Sequence, residues 1–226
     1  MRPTKYLLGF VMHLAFNLVS STMDKRGCVD FYDPAAGGGS MLIDAGGGYG
    51  EPLNVIISGL SSPAVLTYDG AINYARAIGF SEECFGLHLG GLMSANLGDG
   101  DGWVNQTIEI RQDYGSAGAG TCLESLIGGN HFRIFVQNGT AADSGALFLA
   151  ASKEEPLTEN HDIVPDGYDI GRNNLVTGAV GRTSYGGVKY STIAQNITGL
   201  LAAGSDGVNH GIAQDGIVTL LTVTII

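Results

Sequence analysis

Charge is scarce in this chain, and positive charge is scarcest. Charged residues make up 15% of 226, with 11 Lys and Arg against 22 Asp and Glu, a net charge of −11. Basic residues stand next to each other only at Lys25-Arg26. Such a chain repels phosphate backbones and anionic lipid, which argues against nucleic acid as a partner. The familiar catalytic motifs are absent too. There is no Gly-x-Ser-x-Gly elbow: Ser58 follows a strand, but Ile56 stands where the elbow needs glycine. There is no His-Glu-x-x-His and no P-loop with its lysine. Gly46 to Gly50 precedes a strand instead of following one, so it is not a dinucleotide fingerprint. The neighbours Glu82-Glu83 and Glu154-Glu155 diverge on a strand or loop, which leaves a glycosidase pair unsupported. No zinc spacing links Cys28, Cys84 and Cys122.

Long apolar runs are also lacking. Tyr6 to Val19 falls short of the roughly 20 residues a spanning helix needs, and His13 and Asn17 interrupt it. With Arg2 and Lys5 before it and Ser20 to Thr22 after it, the segment has the three parts of a secretory signal peptide over 1–22. No stable membrane insertion is expected after cleavage. Lys25-Arg26 resembles a dibasic processing site within a Gly-rich leader at 23–50, although a solvated triplet with Asp24 fits it equally. The expected place of work is outside the cell. Three sequons agree with that, at Asn105, Asn138 and Asn196, each able to carry glycan if exposed. In an oxidising compartment one cysteine pair is expected. Cys84 and Cys122 lie within the core region, which leaves Cys28 as the odd one.

What the chain has in abundance is glycine: 36 residues, clustered without a period of three, which excludes collagen and favours loop-rich β or α+β structure. "PLNVIISGL" (52–60) is a dense apolar run of a strand buried on both faces. "SSPAVLTYDGAINYARAIGF" (61–80) then has helical spacing, with Pro63 at the first position and Asp69 able to cap a second helix. "CFGLHLGG" reads as the next strand. "WVNQTIEIRQDY" alternates through Val104, Gln106, Ile108 and Ile110 as one half-buried strand. "TCLESLIGG" is a short helix ended by Gly128. "HFRIFVQNG" and "ALFLAASKE" form a hairpin, a helix runs from Asp166 to about Gly178, and two strands close the chain. The fold class is α+β: one domain over 51–226, with a mixed or antiparallel sheet of about six to eight strands and two to three helices packed on it.

The hairpin strand places His131 and Arg133 on one face and Phe132, Ile134 and Val136 on the other. By "NHFRIFVQNGTAADSGALFLAAS" and "NHDIVPDGYDIGRNNLV" the chain resembles the C-terminal domain of the LssY family. The matching positions are His131 and Arg133, Leu147 to Ala151, His161, Pro165, Asp166 and Arg172. "PLNVIISG" is similar to that family's opening strand. The likeness spans about 51–180 and implies a fold more than an activity. From end to end the chain resembles a group of uncharacterised secreted fungal proteins.

Two imidazoles and a carboxylate, His131, His161 and Asp166, could perform acid–base work in an extracellular hydrolase. Arg133 and Arg172 could fork onto a carboxylate or phosphate. The competing reading pairs both arginines with Asp166 or Asp169, pinning a helix to the sheet. Asn96, Asp99 and Asp101 alternate before Gly102 as calcium ligands would, but the twelfth position from Asn96 is Thr107 instead of glutamate. The same spacing suits a Gly-Asp turn. No other cofactor is evident. Trp103, the chain's single tryptophan, is either a stacking platform for sugar or a core plug. The expected function is a non-catalytic binding or surface protein taking an extracellular ligand, a glycan or an anionic small molecule.

Overall fold

The computed structural model describes residues 28–83 and 91–226. Ten strands and three α-helices alternate along them. In chain order they are β1 (Leu53–Ile57), α1 (Tyr68–Ala77), β2 (Phe80–Glu82), β3 (Ser94–Asn96), β4 (Trp103–Asn105), β5 (Ile108–Gln112) and α2 (Gly120–Ile127). Then follow β6 (Gly129–Val136), β7 (Leu147–Glu154), α3 (Gly167–Ala179), β8 (Gly181–Tyr185), β9 (Val188–Thr198) and β10 (Ile217–Ile225). Eight of the strands form one sheet in the order β2-β5-β6-β7-β1-β10-β9-β8, and β3 pairs with β4 apart from it. Every ladder is antiparallel except β1 with β10. The α+β class holds. No helix among the described residues is long and apolar enough to cross a membrane.

β1 lies inside the sheet and is buried throughout, as its apolar run requires. Its register against β7 shifts between Leu53 and Val55. Asn54 fills the break. Its amide donates to the carbonyls of Ala151 and Tyr168 (2.8 and 3.0 Å), and its oxygen accepts from Ala151 N–H. The bulge also resets the alternation. Val55 and Ile57 join the core under α1 and α3, whereas Leu53 joins Ile56 in the core on the other face.

That second core corrects the boundary drawn at residue 51. Met41 and Ile43, from the segment expected to be an irregular leader, are buried there against Ala95, Leu97, Phe135 and Phe148. Pro34 to Gly39 packs so closely on the Asn96–Gly98 backbone that a Cβ at Gly39 would overlap it. Other expectations shift locally. Pro63 opens a 3-10 turn, and the α-helix behind it is capped by Thr67, not by Asp69. "WVNQTIEIRQDY" is two strands in different sheets, because the chain turns at Gln106-Thr107. The closing region holds three strands, the extra one being β8. The signal segment, Lys25-Arg26 and the "CFGLHLG" strand lie outside the described residues.

Candidate functional site

Strand β6 builds the site from its alternation. Phe132 and Ile134 enter the helix-covered core, and His131 and Arg133 emerge on the other face. The neighbouring strands complete that face. Arg111 stands opposite His131, Glu109 opposite Arg133, and Ser152 opposite His131 on the far side. Farther along the same face, Phe135 opposes Phe148 and the surface turns apolar.

Arg111 is the hub. Its Nε is 2.5 Å from Glu83, its Nη2 is 2.7 Å from Glu109, and its Nη1 reaches Glu124 at 3.0 Å and Glu154 at 2.9 Å. Glu124 descends from α2, whose buried side also carries Thr121 and Ser125. Arg133 reaches Glu51 at 3.1 Å and Glu109 at 3.4 Å. All of these groups are buried; burial raises the Glu51 and Glu154 carboxyls and pushes Glu124 up to about 7, while the guanidiniums pull the other way.

His131 has its tautomer set by these partners. Arg133 Nη1 lies 2.8 Å from His131 Nε2, and a guanidinium can only donate. Nε2 therefore accepts and the ring proton sits on Nδ1, which lies 3.3 Å from Glu154 Oε1. Burial first, then Arg133, holds the imidazole well below its ordinary range. It is a neutral link between a cation and an acid, with both nitrogens occupied. His161, in a left-handed turn, brings Nδ1 to 3.7 Å from Glu154.

Three of the five residues singled out in the sequence thus converge: His131, Arg133 and His161. Asp166 does not. It is exposed at the start of α3 and makes no side-chain cap bond. Arg172 stands elsewhere, forked onto Asp215 at 2.6 and 2.8 Å and close to Asp169 at 3.3 Å, with Ile217 carbonyl accepting at 2.9 Å. It pins α3 to the start of β10, but through Asp215 and not through Asp166 or Asp169 alone as the competing reading had it, and Arg133 pairs with Glu51 and Glu109 instead of either aspartate. Sequence reasoning missed Glu51, Glu109, Arg111 and Glu124. For Glu109 and Arg111 the signal lies in "IEIRQ": charges alternating with isoleucines on one strand, opposite alternating charges on the next. The diverging pairs behave as expected, since Glu83 and Glu154 face Arg111 while Glu82 pairs with Arg76 at 3.0 Å.

In the loop of Asn96, Asp99 and Asp101, the side-chain oxygens of Asn96 and Asp99 accept from backbone, while Asp101 is exposed. Asp99 is buried and accepts from Asn138, Gly139 and Asp101 N–H, and Asn96 accepts from Gly98. This joins the loop to the β6–β7 turn. Among the described residues no His, Cys, Asp and Glu group is arranged to hold a metal. Removing the Asp99 carboxylate is expected to cost about 1.5–3 kcal/mol, since its bonds are charge-assisted. The unfolding midpoint of Asp99→Ala should fall by the same amount with and without millimolar calcium; a fall seen only in calcium would restore the metal reading.

Asn105, Asn138 and Asn196 are all exposed. Cys28 is free and exposed, and Cys122 is disulfide-bonded; Cys84 lies outside the described residues. Trp103 is 56% exposed and is no core plug. With Tyr49, 55% exposed, it lines a groove of about 530 Å³ that also includes Ser40, Asp44 and the glycines 46–48. Comparison with family models, curated proteins and solved structures finds no match to the chain.

Proposed function

We propose that the protein is a secreted glycoprotein that acts by binding, and that its ligand is a glycan received in the Trp103–Tyr49 groove. One observation carries this reading: two large aromatic side chains, each more than half exposed, line the same groove beside the carboxylate of Asp44. Exposed rings offer apolar faces to the C–H surfaces of a sugar, and Asp44 and Ser40 supply the polar groups that orient hydroxyls. The hydrolase alternative loses support, because His131 has no free nitrogen and Asp166 stands apart from it. The anionic-ligand reading loses support because both guanidiniums are occupied by carboxylates. Exposure of the three sequon asparagines supports glycosylation. Kinship with the LssY C-terminal domain belongs to the same proposal and rests on His131, Arg133 and His161.

A single tryptophan makes the test direct. Titrating the protein with a panel of oligosaccharides should change the emission of Trp103 for the ligand that binds. Isothermal calorimetry, which reads both forms, should show Trp103→Ala weakening that binding by about two- to tenfold, the range of one stacked aromatic. A glycan that binds both forms equally, or a panel that leaves the emission unchanged, would overturn the proposal.

A further inference from the structure

A second cavity, of about 430 Å³, lies on the helix-covered face of the sheet, where the ends of β5 and β6 meet α3. Gln112 follows Ile110 on that face of β5, Asn130 precedes Phe132 on that face of β6, and Asn174 comes from α3. Phe80 and Tyr114 line it as well. The groove of Trp103 and Tyr49 lies across the sheet, on Leu42 and Ile43 of the other core. The two places are separate, and neither depends on the other.

Backbone groups set the polarity of this cavity. The Asn130 N–H donates to Gln112 Oε1 at 3.2 Å, so the amide NH2 of Gln112 is the end left to present. The Gly171 carbonyl can only accept, and Asn130 Nδ2 donates to it at 2.8 Å. Asn130 Oδ1 therefore accepts from Asn174 Nδ2, at 3.3 Å, which leaves Asn174 Oδ1. Among the described residues neither Gln112 Nε2 nor Asn174 Oδ1 has a hydrogen-bond partner. The cavity thus presents one amide donor and one amide acceptor, both oriented by the buried Asn130. Asp113 has its carboxylate bound within the protein, Oδ1 on the Gly115 N–H at 2.8 Å and Oδ2 on the Ser81 hydroxyl at 3.2 Å. Among the described residues no Lys or Arg lines the cavity.

Tyr114 adds an aromatic ring at a cost in backbone strain. Its φ is +47°, in the left-handed region that bulky residues seldom adopt. Its hydroxyl donates to the Gly128 carbonyl at 2.6 Å and fixes the side chain, which stays 42% exposed. We infer that the cavity is a second ligand site and that it takes one neutral sugar ring. One hydroxyl accepts from Gln112 Nε2, a neighbouring hydroxyl donates to Asn174 Oδ1, and the C–H face of the ring lies against Tyr114. The chemistry excludes the other classes. An anion finds no cation to hold it, and an apolar ligand would strip both amides of water without replacing their bonds. The volume falls within the range of small-molecule sites, about 300–1,000 Å³.

The test reads the backbone amide signals of Tyr114 and Gly115 in the nitrogen-labelled full chain as glucose, mannose or galactose is added at millimolar concentrations. At least one hexose should shift them saturably, in the wild type and equally in Trp103→Ala. Asn174→Ala alters an exposed helix position, and Gln112→Glu keeps the acceptor for Asn130 while removing the donor. Each should weaken the binding about two- to tenfold, the range of one neutral hydrogen bond. Should Gln112→Glu fail to fold, Asn174→Ala decides alone. The inference is overturned if no hexose moves these signals, if the shift vanishes in Trp103→Ala, or if Asn174→Ala leaves the affinity unchanged. Acetamide saturating the same shift at lower concentration than any hexose would overturn it too. A cavity that binds a hexose while the groove takes no glycan would sink the proposed function alone.

Discussion

Arg111→Met is expected to abolish the folded state at neutral pH. Arg111 is the cation that Glu83, Glu109, Glu124 and Glu154 share, and all four are buried. Breaking a single buried pair costs about 3–5 kcal/mol, because the remaining charge keeps its desolvation penalty. Here four charges lose one partner together, against a total stability of about 5–15 kcal/mol for a typical domain. Methionine keeps much of the volume, so the loss is electrostatic and not a cavity. Two readouts separate those causes. Acidification should return structure to the variant, since protonated carboxyls no longer repel. Adding Glu124→Gln and Glu154→Gln should also restore part of the stability, which a double-mutant cycle would measure as a favourable coupling. Circular dichroism melts give both. An Arg111→Met protein with a wild-type midpoint at pH 7 would show that the cluster does not hold the sheet.

Gly171→Ala is expected to cost about 3 kcal/mol or more. Alanine in a helix interior ordinarily gains about 1 kcal/mol over glycine, so intrinsic propensity predicts the opposite sign. Packing decides. A Cβ at position 171 would lie 2.5 Å from the Cα and C of Ser152 and 2.8 Å from its N. These are backbone atoms of β7, which cannot rotate away, so α3 must lift from the sheet. Lifting it would also pull on the Asn54 bridge and on Asn130, whose amide donates to the Gly171 carbonyl at 2.8 Å. The midpoint in denaturant should fall clearly. A variant as stable as wild type would mean the close approach of α3 to β7 is not needed.

The two changes illustrate how differently the sequence announces its features. Gly171 stands inside a helix whose start is legible at Asp166, but nothing local says the helix will press against Ser152. Arg111 reads locally as one member of an alternating strand. Its partners come from residues 83, 109, 124 and 154, and a strand register and a helix docking are needed to bring them together. Trp103 is ambiguous for the same reason: one residue type serves both buried and exposed roles, and only the position of β4 outside the main sheet exposes it.

Local pattern determined the class of fold, the buried strand at 53–57, the β6–β7 hairpin and the shared face of His131 and Arg133. Period and turn chemistry act over a few residues, so they can be read from a few residues. Tertiary structure decided the rest. It drew Met41 and Ile43 into the core, sent Arg172 to Asp215 instead of to the histidines, and gathered five carboxylates around two arginines. Those outcomes depend on contacts between distant segments, and on the cost of burying charge, which no residue carries until the fold removes its water.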